Sequence, residues 1–184
     1  MTVVLHTPPH EPGPPLTLRP WAEEDIPDLI DAYRDPVMRQ WTRSHVDDER
    51  TARRWIDTQE RGWSEGTRLS FAVLEPEADR ARLVANVVVK GVTVGGASAE
   101  VGYWTTRAAR GRGIAGRALE VVTIWAFAAR GLRTLRLLHQ VDNQASCRVA
   151  QKCGYALEAV LPPLSPYPRD GHLHARHAPQ VPPA

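Results

Sequence analysis

The sequence predicts one α/β domain of the α+β kind, built on a mixed, mainly antiparallel sheet with helices on both faces, and three observations predict it. Strand-like runs LSFAVLE at 69–75, RLVANVVVKGV at 82–92 and SAEVGYW at 98–104 follow one another closely, the pattern of antiparallel neighbours. A glycine–arginine turn, RGRGIAG at 110–116, then opens a long amphipathic helix. Beyond it come a strand-like run, an asparagine-capped helix, a glycine and a second extended segment. At 184 residues the chain has the length of a single domain with a sizeable core.

In chain order, proline crowds residues 1–15 and 178–184, which are expected to be flexible tails around a domain at 16–177. Ile26, Leu29, Ile30 and Tyr33 share one helix face, and Pro36 ends that helix. Asp47 is expected to cap a second helix, with Ala52, Trp55 and Ile56 facing inward and Gly62 as its stop. After the three strands, Ala118, Val121, Val122, Trp125 and Ala129 recur at helical spacing, and Gly131 closes that helix. LRTLRLLHQV at 132–141 reads as a strand, and Asn143 caps the helix QASCRVAQKC, which stops at Gly154. Most of the six tryptophans suit core packing; Trp41 and Trp63, in loop-like sequence, are the candidates for a substrate pocket.

A net charge of +2 does not argue for a nucleic-acid surface, and the basic residues gather around the 110–116 turn. Cys147 and Cys153 fall on nearly opposite sides of one helix, so they are expected to be reduced, in a cytoplasmic protein. No apolar stretch reaches the roughly 18 residues of a membrane span, and the N-terminal residues do not read as a secretory signal.

The turn suits a pyrophosphate. Gly111, Gly113 and Gly116 let backbone approach a ligand, while first-turn N–H groups point outward with the positive end of the helix dipole behind them. Arg110 and Arg112 offer guanidinium forks for phosphate oxygens. The same glycines satisfy G-x-G-x-x-G, so a dinucleotide-binding fold is an alternative. Against it, TTRAAR separates the VGYW strand from Gly111, and no acid lies between Glu120 and Asp142 to hold a ribose.

The order strand, phosphate turn, helix, strand, asparagine cap, helix, glycine, aromatic resembles the acetyl-CoA-binding core of the GCN5-related N-acetyltransferases (GNAT). Its ribosomal-protein N-terminal acetyltransferase branch is the most similar. Arg110, Gly113 and Ala115 match the family's (Arg or Gln)-x-x-Gly-x-(Gly or Ala) turn, and Asn143, Ser146, Gly154 and Tyr155 match its later Asn-x-x-Ser and Gly-aromatic pattern. LTLRPWAEEDIPDLIDAYRDP at 16–36 is similar to the branch's first strand and helix; the resemblance spans about 16–161, with 62–96 matching in outline. It implies a sheet splayed at its centre after a bulge, and acetyl-CoA as co-substrate without a metal. It also implies an amine acceptor, a protein N-terminus or a small molecule, with neither nucleic acid nor membrane as partner, and a homodimer. Where many relatives carry a tyrosine that protonates the leaving thiolate, this chain has Ala150, and Ser146 is the substitute. Where the family usually carries an acidic or small residue after the turn, this chain has Gly116, at about 1 kcal/mol of helix propensity relative to Ala. These departures leave room for a non-catalytic acyl-CoA-binding or regulatory module of the same fold.

An amine of pKa near 10 is mostly protonated at neutral pH, so a base must take its proton. Glu100 is the candidate base, sharing a strand face with Gly102 and Trp104. Backbone N–H groups at Trp104 and Thr105 are expected to polarise the acetyl carbonyl and pair with the pantetheine arm. Arg110, Gly111, Arg112, Gly113, Ile114, Ala115 and Gly116 form the pyrophosphate cradle, Asn143 holds a pantetheine amide, and Ser146 donates to the coenzyme sulfur. In RDGHLHARH at 169–177, Asp170, His172 and His174 alternate, with His177 close by; this pattern suits a metal set less well than a closing hairpin turned at Asp170 and Gly171, and the hairpin is expected.

Overall fold

A computed structural model describes residues 3–9, 13–42, 44–93, 95–165 and 167–179. The chain forms β1 (Leu5–His6), β2 (Thr17–Pro20), α1 (Ile26–Tyr33), α2 (Pro36–Trp41), α3 (Glu49–Glu65), β3 (Arg68–Glu75), β4 (Arg82–Lys90) and β5 (Ser98–Thr105). It continues as α4 (Ile114–Arg130), β6 (Thr134–Gln140), α5 (Gln144–Lys152), β7 (Ala156–Leu161) and β8 (Gly171–His177). The strands make one sheet in the order β1-β2-β3-β4-β5-β6-β8-β7, and β5–β6 is its parallel pair. The expected mixed, mainly antiparallel sheet is therefore present.

Alternation along the central strands sends two sets of side chains to opposite faces. Phe71, Val87, Val101 and Leu135 pack with Leu119 and Val122 of α4, while Ala72 and Leu74 pack with Leu29, Tyr33 and Ile56 from α1 and α3. β5 pairs with β6 at Ser98–Glu100 against Thr134–Arg136, and then the two part, while β6 stays paired with β8 on its other edge from Thr134 to Gln140. The splay is present without the expected bulge between the central strands: β4 and β5 hold one register from Lys90↔Glu100 to Ala85↔Thr105.

Several expected boundaries move. In the segment expected to be a flexible tail, Leu5 pairs with Leu18, and Thr7 exchanges hydrogen bonds with Leu16 at 3.0 and 2.9 Å; residues 1, 2, 10–12 and 180–184 lie outside the described residues. Pro36 does not only end α1. It also starts α2, at the first-turn position where a missing N–H does no harm, with Asp35 accepting from the Val37 N–H at 3.1 Å. Asp48, not Asp47, caps α3, accepting from the Thr51 N–H at 2.8 Å, while Asp47 pairs with Arg39 at 3.0 Å. α3 runs past Gly62 to Gly66, whose φ of 70° ends it. Gly62 instead permits close packing: a Cβ there would lie 2.5 Å from Arg68 Cβ. Trp63 is thus helical; its indole donates to the Ser70 carbonyl at 2.8 Å and packs on Phe71 and Trp125, in the core and not in a pocket. Residues 162–170 join β7 to β8, so Gly171 begins a strand and Asp170–Gly171 is not a two-residue hairpin turn.

Candidate active site

Where β5 and β6 part, a cleft of about 710 Å³ opens. Glu100, Gly102 and Trp104 line it from one face of β5, as their alternation predicts, and Tyr103 lines it from the other, with Asn143 and Ser146 of α5. Side chains from both faces reach the same space, so the cleft passes through the sheet. Trp41 lines it, and Trp104 is held against Tyr33 and Trp21 with ring centroids 6.1 and 5.9 Å away.

The glycine–arginine turn lies outside that lining, at the start of α4. Gly111 and Gly113 have φ of 76° and 73°, values that favour glycine, and no described atom lies within 4 Å of where either would carry a Cβ. Buried Ile114 anchors the turn to the core, and the N–H groups of Ile114, Ala115 and Gly116 belong to the first helical turn, which has no intrahelical acceptor for them. The Gly116 carbonyl accepts from Cys153 Sγ at 3.4 Å, tying α4 to the end of α5; burial pushes the Cys153 thiol up to about 11. The two arginines are turned elsewhere than expected. Arg110 pairs with half-buried Asp35, and Arg112 pairs at 2.5 Å with buried Glu75, which also holds Arg82 at 2.8 Å. Burial alone would raise the Glu75 carboxyl, but the hydrogen bonds and charges of Arg112 and Arg82 prevail and hold it below the usual carboxylate range. The guanidinium groups brace the turn against β3 and the α1–α2 junction.

Main-chain direction separates Trp104 from Thr105. The Thr106 N–H donates to the Val84 carbonyl at 2.9 Å, and in an unbroken antiparallel register the donors alternate sides. Trp104 N–H therefore faces β4, while those of Tyr103 and Thr105 face the side that β6 has left. The N–H groups of Thr105 and Tyr103 thus lie on the edge open to an extended arm, and Trp104 lines the cleft with its ring.

Glu100 Oε1 lies 2.7 Å from Lys90 Nζ on the opposing strand, both side chains 38% exposed. On the other face, the hydroxyls of Ser146 and Tyr103 share a hydrogen bond of 2.9 Å, and Asn143 Oδ1 accepts from the Ser146 N–H at 3.1 Å, capping α5. Burial pushes the Tyr103 phenol up to about 12 against the opposing effect of its bond to Ser146, so it stays an O–H donor at neutral pH. Ala150 is fully buried and offers no polar group. The sequence does not single out Tyr103: alternation puts it on the face opposite Glu100, and only the passage through the sheet brings both to one space.

The family model for an acetyltransferase (GNAT) domain matches residues 15–156. No curated protein matches the chain. Among solved structures it is similar to RimL, a ribosomal alpha-N-protein acetyltransferase in complex with coenzyme A, at 19% identity over 94% of this chain and 97% of that one, with a TM-score of 0.81. It is similar to Mycobacterium smegmatis RimJ in complex with CoA-disulfide, at 22% identity over 100% of this chain and 90% of that one, TM-score 0.78. The microcin self-immunity acetyltransferase MccE, in complex with acetyl-CoA and AMP, is 18% identical over 89% and 92%, TM-score 0.78. The alternative of a dinucleotide fold falls with the topology, since that fold needs a mostly parallel sheet.

Proposed function

The chain belongs to the GNAT acetyltransferase family, and on that premise we propose that it moves the acetyl group of acetyl-CoA to the amine of a protein N-terminus or a small molecule by direct attack. The observation that carries this reading is the cleft through the splayed sheet, with Glu100 on one side and the Tyr103–Ser146 pair on the other. The residues of the turn fit the coenzyme: open left-handed glycines and unpartnered first-turn donors suit a pyrophosphate. Bound there, acetyl-CoA supplies an activated acyl thioester.

The chain's own groups then do the following. Glu100 accepts the proton that the acceptor nitrogen gives up as it bonds to the acetyl carbon. Lys90 already shows that the carboxylate holds an ammonium group at 2.7 Å, and an incoming amine competes for the same place. Main-chain N–H groups on the free side of β5 stabilise negative charge on the acetyl oxygen. As the carbon–sulfur bond breaks, the Ser146 hydroxyl donates a hydrogen bond to the departing thiolate and Tyr103 donates one to Ser146 in turn, both hydroxyls keeping their protons while the thiolate takes its own from solvent. The positive end of α5 lies on the same side.

The test is thiol release with acetyl-CoA against peptide N-termini and small amines, with acetylated product identified by mass. Release coupled to a +acetyl product supports the reading. Stoichiometric acetyl-CoA binding without thiol release on any amine of either class would replace it with the non-catalytic module.

A further inference from the structure

Four metal-ligating side chains from three elements converge beside the cleft, which His139 also lines. β6 and β8 pair so that His139 stands directly opposite His172 and Leu137 opposite His174, which puts the three imidazoles on one face; α5 lies across that face and contributes Cys147. One ligand atom from each residue lies within 4.8 Å of every other, and Cys147 Sγ is 3.8 Å from His174 Nε2. A tetrahedral zinc site has ligand-to-ligand edges of about 3.3–3.7 Å, so small side-chain movements close this set around an ion.

Two observations point to a ligand and not to plain packing. The Nδ1 atoms of His139 and His174 lie 2.8 and 3.1 Å from the carbonyls of Gln140 and Tyr155. A carbonyl only accepts, so each Nδ1 carries the proton and each Nε2 presents its lone pair, the orientation that backbone carbonyls impose on metal-bound imidazoles. Moreover, His139 Nε2 and His172 Nδ1 are buried atoms with no hydrogen-bond partner among the described residues. Buried polar atoms are almost always paired, and here two unpaired ones belong to residues of the same cluster.

We propose that His139, His172, His174 and Cys147 form a closed zinc site that ties α5 to β6 and β8. Three imidazoles and one thiolate match the borderline-soft character of Zn²⁺, and four protein ligands fill a tetrahedral shell without leaving a position for substrate. The ion is thus structural, and acetyl transfer itself has no step through it. Its influence on the reaction is positional: Cys147 follows Ser146 in the first turns of α5, so the ion fixes the helix end that carries Ser146 and Asn143. His177 and Asp170, which sequence alternation grouped with this set, stand apart from it; His177 pairs with Glu158 at 2.8 Å.

The test titrates chelator-treated full-length protein with Zn²⁺ and with Co²⁺ as a spectroscopic probe. The expected result is one equivalent bound per chain, a rise in Tm with Zn²⁺, and a thiolate-to-cobalt charge-transfer band with tetrahedral d–d absorption. Because His174 is fully buried, the variants are Cys147→Ser and His172→Gln, both at half-buried positions. Cys147→Ser is expected to abolish the charge-transfer band, and each variant to weaken binding at least about tenfold, while His177→Gln binds as the parent does. Absence of stoichiometric binding, or binding that both variants retain, overturns the proposal. Neither readout depends on acetyl transfer.

Discussion

The phosphate turn and the centre of the cleft are built in opposite ways. The turn is a contiguous piece of main chain in which Gly111 and Gly113 do the shaping, while the side chains of Arg110 and Arg112 are turned away to Asp35 and Glu75. The centre is made of side-chain pairs from separate elements: Glu100 with Lys90 across β5 and β4, and Tyr103 with Ser146 from β5 and α5. A site made of backbone depends on conformation and tolerates little change of residue; a site made of side chains depends on strand register and degrades by steps as single groups are removed.

The largest effect is therefore expected at Gly113. A Val there meets a left-handed φ of 73° and places a branched Cβ where the coenzyme's phosphates approach, so acetyl-CoA binding should fall below detection in calorimetry. Gly131 closes the other end of α4 with φ 66° and open space around its Cβ position, so Gly131→Val carries the same backbone strain away from the turn. The two variants should lose similar stability, and only Gly113→Val should lose the cofactor. Equal binding in both would show that the turn is not the cradle.

That contrast also explains what could be read from the sequence. The turn, its glycines and the Asn143 cap are local, so residue type and spacing reveal them. Boundaries that depend on tertiary contact are not: Asp47 and Asp48 are adjacent acids of equal capping power, and Gly62 differs from Gly66 only because Arg68 presses against it. Likewise, the alternation that correctly places Glu100, Gly102 and Trp104 together hides Tyr103, which matters only because β6 leaves β5 after three paired residues. The histidine cluster needs β6–β8 register and the placement of α5, so sequence alternation found His172 and His174 but not His139 or Cys147.

At the centre, Glu100→Gln keeps shape and removes the proton acceptor. Turnover at neutral pH should fall about 100-fold, within the usual range for loss of a general base, with acetyl-CoA affinity nearly unchanged. Unchanged turnover would mean that the amine loses its proton elsewhere and that the Glu100–Lys90 pair only joins two strands.

Ser146→Ala should lower kcat on the order of tenfold without raising KM for acetyl-CoA, because the positive end of α5 still stabilises the departing sulfur. Ser146→Cys should do less harm. Tyr103→Phe removes the hydroxyl behind Ser146 and should lower kcat by a smaller factor, about threefold. If the Tyr103 and Ser146 effects simply multiply in the double variant, the two hydroxyls act independently and the paired donor is wrong.

The smallest effect on binding is expected from Arg112→Ala, although a sequence reading makes Arg112 a phosphate ligand. Its guanidinium is held by Glu75, so acetyl-CoA affinity should fall only about threefold, far short of the Gly113 variant. The loss should instead be visible in acid. Glu75 is held below the usual carboxylate range by Arg112 and Arg82, so its ionised form favours the folded state. That contribution is complete above the unfolded carboxyl's value of about 4.3 and is lost as pH falls through the lower folded value. Without Arg112 the folded value moves back toward the ordinary one, and the advantage at neutral pH shrinks. Thermal melts from pH 7 down to 3 should show the parent's Tm starting higher and converging on that of the variant as Glu75 protonates. A constant Tm gap across that range would mean that Arg112 contributes packing rather than charge. A loss of acetyl-CoA affinity as large as that of Gly113→Val would return Arg112 to the phosphates and erase the distinction between a backbone-built turn and a side-chain-built centre.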